Sequence, residues 1–115
     1  MLFVCYKNCS TCQRIEKSLI DQGISFEKRD IKEENPTAAE IKEWHEKSGL
    51  DLKKFFNTSG LVYRELNLKD KLADMTKEEQ YELLSTDGML VKRPIVVTDE
   101  EVLVGPLVKK KYVLE

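Results

Sequence analysis

The order of hydrophobic patterns along these 115 residues predicts an α/β fold built on a four-stranded mixed sheet. Three observations carry that prediction. An apolar, β-favouring run at Leu2–Tyr6 gives way to a helix-period segment and then to an alternating run that ends at Asp30. The sequences TAAE and TKEE, in the middle of the chain, have the form of helix-opening capping boxes. Near the end, PIVVT and EVLVG flank the dipeptide DE, the pattern of a tight antiparallel hairpin.

Each element follows from its residues. The strand at Leu2–Tyr6 stops at the polar turn Lys7–Asn8. Beyond it, Ile15, Leu19 and Ile20 fall on one helical face, while Arg14, Glu16, Lys17 and Asp21 fall mostly on the other. Gly23 suits the left-handed position just past that helix. Ile24 and Phe26 then alternate with Ser25 and Glu27, which predicts a second strand from about Ser25 to Asp30. Strand, helix and strand make a right-handed crossover with parallel strands. Thr37 and Glu40 form the first capping box, opening a helix to about Lys47 that ends at Ser48–Gly49. In the stretch Leu50–Leu68, LKKFF reads as one or two helical turns, NTSG as loop and LVYREL as another short helix. Thr76 and Glu79 form the second capping box, and its helix runs to Leu84 before TDG stops it. Strands at Pro94–Thr98 and Glu101–Gly105 make the hairpin, and a short helix from about Leu107 follows. Lys109–Lys111 sit in its last turn, where cations oppose the helix dipole.

A β-α-β half and a β-β-α half form the thioredoxin-like arrangement, here with a helical insertion over residues 35–88 inside a single domain spanning residues 1–115. The length suits one compact core. With 41% hydrophobic and 35% charged residues, the composition is that of a soluble globule. A net charge of −2 gives no support to direct nucleic-acid binding. No apolar run approaches the ~20 residues that span a bilayer, and LFV is far too short for a signal peptide. The expectation is a cytoplasmic protein with no membrane association. In a reducing cytosol, a close cysteine pair is more often catalytic, redox-sensing or metal-binding than a static cross-link.

That pair is CSTC, Cys9 and Cys12, among three cysteines in all. Cys9 falls at the turn between the first strand and first helix, and Cys12 in the helix's first turn. Free amides and the helix dipole stabilise a thiolate there. The spacing lets the two sulfurs bond without unwinding the helix. The junction also lies at the carboxyl edge of the sheet, where α/β folds place ligands. The chemistry implied is thiol–disulfide exchange, with Cys9 attacking and Cys12 resolving the mixed disulfide. Asn8, Ser10 and Thr11 flank the cysteines as candidate substrate contacts. Lys7 and Arg14 add positive potential or are ordinary surface charges. A zinc site needs about four ligands. Only Cys5, read as a small buried hydrophobe, and His45, read as a surface residue, are left to supply the others. No metal and no resident cofactor are therefore expected, and two unrelated thiols remain the bland alternative.

The second feature is KRP before IVV. In a thioredoxin-like arrangement, Pro94 opens a strand facing the cysteines, and a cis X-Pro bond there leaves backbone groups available to a thiol substrate. The fold resemblance therefore implies a cis Arg93–Pro94 bond. Arg93 would then turn its guanidinium toward the thiolate or a bound anion. A trans edge-strand proline beside an exposed arginine is the other reading.

With YKNCSTCQR, FFNTSGLVYREL and DGMLVKRPIVV, the sequence resembles the arsenate-reductase-like family, which includes the Spx regulators, over nearly its whole length. The resemblance implies the thioredoxin-like fold with a helical insertion, and puts Cys9 in the family's reactive position. Oxyanion-reducing members carry one catalytic cysteine and three arginines. Here Arg93 matches one arginine, while Asn57 and Gly105 stand where the others would be. Cys12 matches the redox-switch cysteine of Spx-type proteins, which bind RNA polymerase. NTSGLVYREL and KRPIVV are closer to the reductase-like branch. The resemblance thus implies a thiol-redox protein acting on a thiol or disulfide substrate. It has two alternatives: a polymerase-binding regulator, and an arsenate reductase with glutathione and glutaredoxin as co-reductants.

Overall fold

The computed structural model describes residues 1–113. Its strands are β1 (Leu2–Cys5), β2 (Glu27–Asp30), β3 (Ile95–Val97) and β4 (Val102–Val104). Its helices are α1 (Ser10–Asp21), α2 (Ala38–Ser48), α3 (Leu61–Glu65), α4 (Leu68–Lys71), α5 (Lys77–Thr86) and α6 (Pro106–Tyr112). Single 3-10 turns occupy Leu52–Phe55, Leu72–Asp74 and Gly88–Leu90. The sheet runs β2-β1-β3-β4, with β1 parallel to β2 and antiparallel to β3, and β3 antiparallel to β4. This is the α/β, thioredoxin-like architecture that the element order predicts.

Strand alternation splits the core in two. Phe3, Cys5 and Val96 face α1 and α6, where they pack with Cys12, Ile15, Leu19 and Val108. Val4 and Ile95 face the other way, into a larger cluster with Ile41, Trp44, Phe55 and Leu84 from the insertion. No described helix is long and apolar enough to cross a membrane.

Local chemistry sets the boundaries. Both capping boxes form: Thr37 with Glu40 at α2, and Thr76 with Glu79 at α5. Gly23 and Gly49 take positive φ after α1 and α2. Strand β2 is shorter than the alternation of Ile24 and Phe26 suggests. Its partner is the limit: Leu2 pairs with Glu27, so residues before Glu27 have nothing on β1 to pair with. Phe26 instead packs edge-on against Phe3, with ring centroids 5.6 Å apart. Helix α5 runs on to Thr86, and Asp87 then accepts from the Met89 amide at 2.8 Å to start the next turn. Helix α4, preceded by Asn67 at φ 54°, has no counterpart in the sequence reading. Gly88 lies so close to the end of β2 that a Cβ there would fall 1.7 Å from the Ile31 carbonyl oxygen. That contact docks the end of the insertion onto the sheet and leaves no room for a side chain.

One ion pair ties β2 to the insertion. Arg29 grips Glu40 with two hydrogen bonds, 2.6 and 2.9 Å long, and also donates to the carbonyls of Glu34 and Asn35. Foremost through Arg29, and also through the Thr37 amide, the Glu40 carboxyl is held down to about 2. An unfolded glutamate titrates near ~4.3. The stabilisation is therefore complete above that value and is lost as pH falls through it toward 2. With Glu40 about a third exposed, solvent screening reduces the contribution to about 1–2 kcal/mol. Glu40→Gln should lower stability by that amount at pH 7. The deficit should shrink toward zero near pH 2 in urea unfolding, whereas a pH-independent deficit would contradict this role.

Candidate functional site: a cysteine pair at a strand–helix junction

The site is assembled where β1 stops. The Cys5 carbonyl accepts from Ile31 at 2.7 Å, and the chain then turns, with the Cys9 amide donating to the Tyr6 carbonyl at 3.0 Å. Cys9 is the N-cap of α1, in extended backbone geometry, and its carbonyl accepts from the Gln13 amide at 3.0 Å. Its side chain makes no capping hydrogen bond, so the thiol is not committed to the helix. Gln13 closes the loop by donating to the Lys7 carbonyl at 2.6 Å.

Cys12 lies one turn in, on the face that α1 presses against the sheet with Ile15 and Leu19, and is 1% exposed. The Tyr6 amide donates to its sulfur at 3.4 Å. The three thiols gather in one cluster, with Cys5 and Cys12 buried in it and Cys9 packed against it. Donation to Cys5, and then burial, push the Cys12 thiol far above the ordinary range. The same hydrogen bond holds Cys5 below it. Cys5 is buried as the sequence suggests, but it is also a contact partner of Cys12, which the sequence reading misses. Strand parity signals a buried Cys5 without naming its neighbour.

Pro94 reaches this edge through the sheet. Register pairs Val4 with Ile95 and Ile95 with Val104. Pro94 therefore lies one step past Ile95, between the ends of β1 and β4. The Arg93–Pro94 bond is cis. The Pro94 carbonyl accepts from the Gly105 amide at 2.8 Å. The half-buried Arg93 lays its guanidinium over the Tyr6 ring, 5.0 Å from the centroid. Its Nη1 is buried with no hydrogen-bond partner among the described residues. Asn8 donates to the Tyr6 hydroxyl at 3.2 Å, so Tyr6 joins the cysteine loop to Arg93. Asn8, Ser10 and Thr11 are exposed around Cys9.

Other residues fall outside this cluster. Lys7 pairs with Glu33 at 3.1 Å, so its charge is answered there rather than aimed at Cys9. Arg14 is exposed. His45, read as a surface residue, is half-buried instead. Its Nδ1 is 2.7 Å from the Tyr81 hydroxyl, and its ring stands edge-on to Phe55 at 5.9 Å. The helical period puts it beside Trp44 at the margin of the α2–α5 contact, which sequence alone does not reveal.

The positions where the family resemblance puts two further arginines are used differently. The Asn57 backbone amide donates to the Leu90 carbonyl at 2.7 Å, tying its loop to the Gly88–Leu90 turn. Gly105 sits at φ 60°, ψ −126°, with the Lys92 side chain against it. Lys92, Lys53 and Lys54 border a hollow of about 600 Å³ floored by Phe56, Val104 and Leu107. A larger hollow, about 670 Å³, lies in the helical insertion among His45, Tyr63, Lys69 and Lys77, and none of the cysteines lines it. Geometry and donor chemistry, rather than cavity size, single out the cysteine edge.

Comparison with known proteins agrees with this architecture. The model of the ArsC family matches residues 5–107. The uncharacterised protein YusI of Bacillus subtilis is 51% identical over 105 residues, covering 91% of this chain and 89% of its own. The regulatory protein MgsR of the same organism is 28% identical over 105 residues, 91% of this chain and 82% of its own. Among solved structures, an ArsC family related protein from Bacteroides fragilis superposes with a TM-score of 0.87 at 57% identity, covering 90% of this chain and 87% of its own. An arsenate-reductase candidate from Streptococcus mutans UA159 superposes with a TM-score of 0.85 at 47% identity, covering 90% and 88%.

The exposures predict a simple chemical fingerprint. Brief alkylation of the reduced, folded protein should label Cys9 and spare Cys5 and Cys12, which are 2% and 1% exposed. Peptide mapping by mass spectrometry reads the result, and equal labelling of all three would contradict the packing described.

Proposed function

Because the chain belongs to the ArsC family, we propose that it is a thiol–disulfide oxidoreductase using Cys9 as nucleophile and Cys12 as resolving thiol. One observation carries the reading: an uncapped thiol at a helix N-terminus packs against the cluster that buries a second thiol one helical turn on. The Cys9 thiolate attacks one sulfur of a substrate disulfide and displaces the first substrate thiolate. Cys12 then attacks the Cys9 sulfur, releases the second substrate thiol and leaves a Cys9–Cys12 disulfide. Two electrons thus pass from the pair to the substrate. An external thiol returns them, and the family resemblance suggests glutathione, alone or through a glutaredoxin. Such a cycle suits a reducing cytoplasm.

Arg93 and Pro94 complete the site in this reading. The Arg93 guanidinium, its Nη1 without a hydrogen-bond partner among the described residues, is the cation at this edge that a substrate thiolate or carboxylate would meet. Pro94 stands at the same edge of the sheet, one step past the Val4–Ile95 pair. Arsenate reduction fits less well, because a doubly charged oxyanion would meet one guanidinium where the family pattern supplies three. In a coupled assay with a small aromatic disulfide and glutathione, Cys9→Ser should lose turnover to the uncatalysed background, while Arg93→Ala keeps part of it. Unchanged turnover in Cys9→Ser would sink the proposal.

A second reading draws on the match to MgsR. There the Cys9–Cys12 disulfide would switch a surface that docks on RNA polymerase. Affinity capture from cells, run with the protein reduced and oxidised, separates the two. The oxidoreductase reading expects no polymerase subunit in either state, and redox-dependent recovery of one would favour the regulator.

A further inference from the structure

The exchange just proposed uses two of the three cysteines, and Cys5 has no part in it. Its position is nonetheless specific. Parity along β1 puts Phe3 and Cys5 on the face that α1 covers, and α1 turns Cys12, Ile15 and Leu19 to meet them. The Tyr6 amide nitrogen, bonded directly to the Cys5 carbonyl carbon, lies 3.4 Å from the Cys12 sulfur. Cys5 and Cys12 are buried in one cluster on this face, and Cys9 packs against the same cluster. Cys12 thus lies in one cluster with a thiol at the lip of the site and another in the sheet beneath it. Packing alone explains a small apolar residue at position 5. It does not explain a sulfur in contact with the central thiol of a reactive pair.

We propose that Cys5 is a third redox thiol, the interior end of a relay in which the Cys9–Cys12 disulfide passes inward to become a Cys5–Cys12 disulfide. The relay rests on the oxidoreductase reading above and deepens it. The step is an exchange without net oxidation. The Cys5 thiolate attacks the Cys12 sulfur, the Cys5–Cys12 bond forms, and the Cys9–Cys12 bond breaks. Cys9 leaves with the electron pair as a thiolate, and the proton lost by Cys5 ends on Cys9 or in solvent.

The environment favours this direction of departure. Cys9 sits half-exposed at the α1 N-terminus, so the displaced thiolate is released at the protein surface. The new disulfide lies between two sulfurs that are 2% and 1% exposed, out of reach of thiols in bulk solvent. Cys9 is returned as a free nucleophile while the oxidising equivalent is held inside. The protein then carries a stored disulfide and a reactive thiol together, which a two-cysteine site cannot do.

Two parallel oxidations test the relay. Wild-type protein is treated with glutathione disulfide, and Cys9→Ser with diamide. Both are quenched in acid, unfolded, alkylated and mapped by mass spectrometry. The relay expects a Cys5–Cys12 linkage in both. In the wild type it should appear after the Cys9–Cys12 linkage, with free Cys9 recovered as it grows. Cys5→Ala, checked for fold by circular dichroism, should still form Cys9–Cys12 and lose that late recovery of free Cys9. If Cys9–Cys12 forms but Cys5 stays a free thiol in both oxidations, the relay is wrong and the oxidoreductase reading stands. If Cys9 never reacts with glutathione disulfide, the reading of Cys9 as nucleophile fails, and the relay fails with it.

Discussion

The arrangement depends on a four-residue strand. Leu2–Cys5 pairs with β2 on one side and β3 on the other, so it is where the two halves of the chain meet. Its side chains divide between both cores, Phe3 and Cys5 to one and Val4 to the other. Its last carbonyl is taken by Ile31, and the next amide is given to the Cys12 sulfur. The strand's end therefore serves as backbone scaffold and as the floor of the site. A register slip of one residue would exchange the two faces. It would move Cys5 away from α1 and carry the cysteine loop off the edge that Pro94 reaches.

The parts legible in the sequence are those set by local chemistry. The capping boxes at Thr37 and Thr76 work through neighbours three residues away, and Gly23 and Gly49 act through their own φ. Parity and turn residues are enough for the hairpin. The parts that were not legible depend on partners distant in sequence. Strand β2 begins at Glu27, the partner of the first β1 residue Leu2, a limit invisible to the alternation of Ile24 and Phe26. Arg29 and Glu40 look like ordinary surface charges until β2 and α2 are brought together. His45 and Tyr81 are 36 residues apart and meet only when α2 packs on α5. Cys5 falls in the same class: its burial follows from period two, but its contact with Cys12 requires α1 to be placed on the sheet.

Burial of Cys12 sets the conditions under which a thiol pair can act here. Inside the core, the protonated form is favoured twice over, by the hydrogen bond to Cys5 and by desolvation. A thiol so disposed is a poor first nucleophile, and substrates cannot reach it. Cys9, at the helix mouth and half exposed, is within reach of a substrate. The proposed division of labour between attacking and resolving sulfur would follow from where one helical turn puts each residue.

The same edge also accounts for the thinness of its positive charge. Gly105 adopts φ 60°, ψ −126°, a conformation open to glycine and closed to residues with a Cβ. Its amide is fixed to the Pro94 carbonyl, and the stem of Lys92 lies against it, 3.1 Å from where a Cβ would stand. An arginine there would have to overcome both the backbone strain and that contact, so a single substitution could not restore the family's third guanidinium. What remains is Arg93, braced on Tyr6 with one nitrogen unsatisfied. One guanidinium suits a single negative charge, such as a thiolate or a carboxylate, better than a compact dianion that needs several donors at once. The backbone at Gly105 and the second thiol beneath Cys9 are independent features of the chain, and both favour disulfide chemistry over oxyanion reduction.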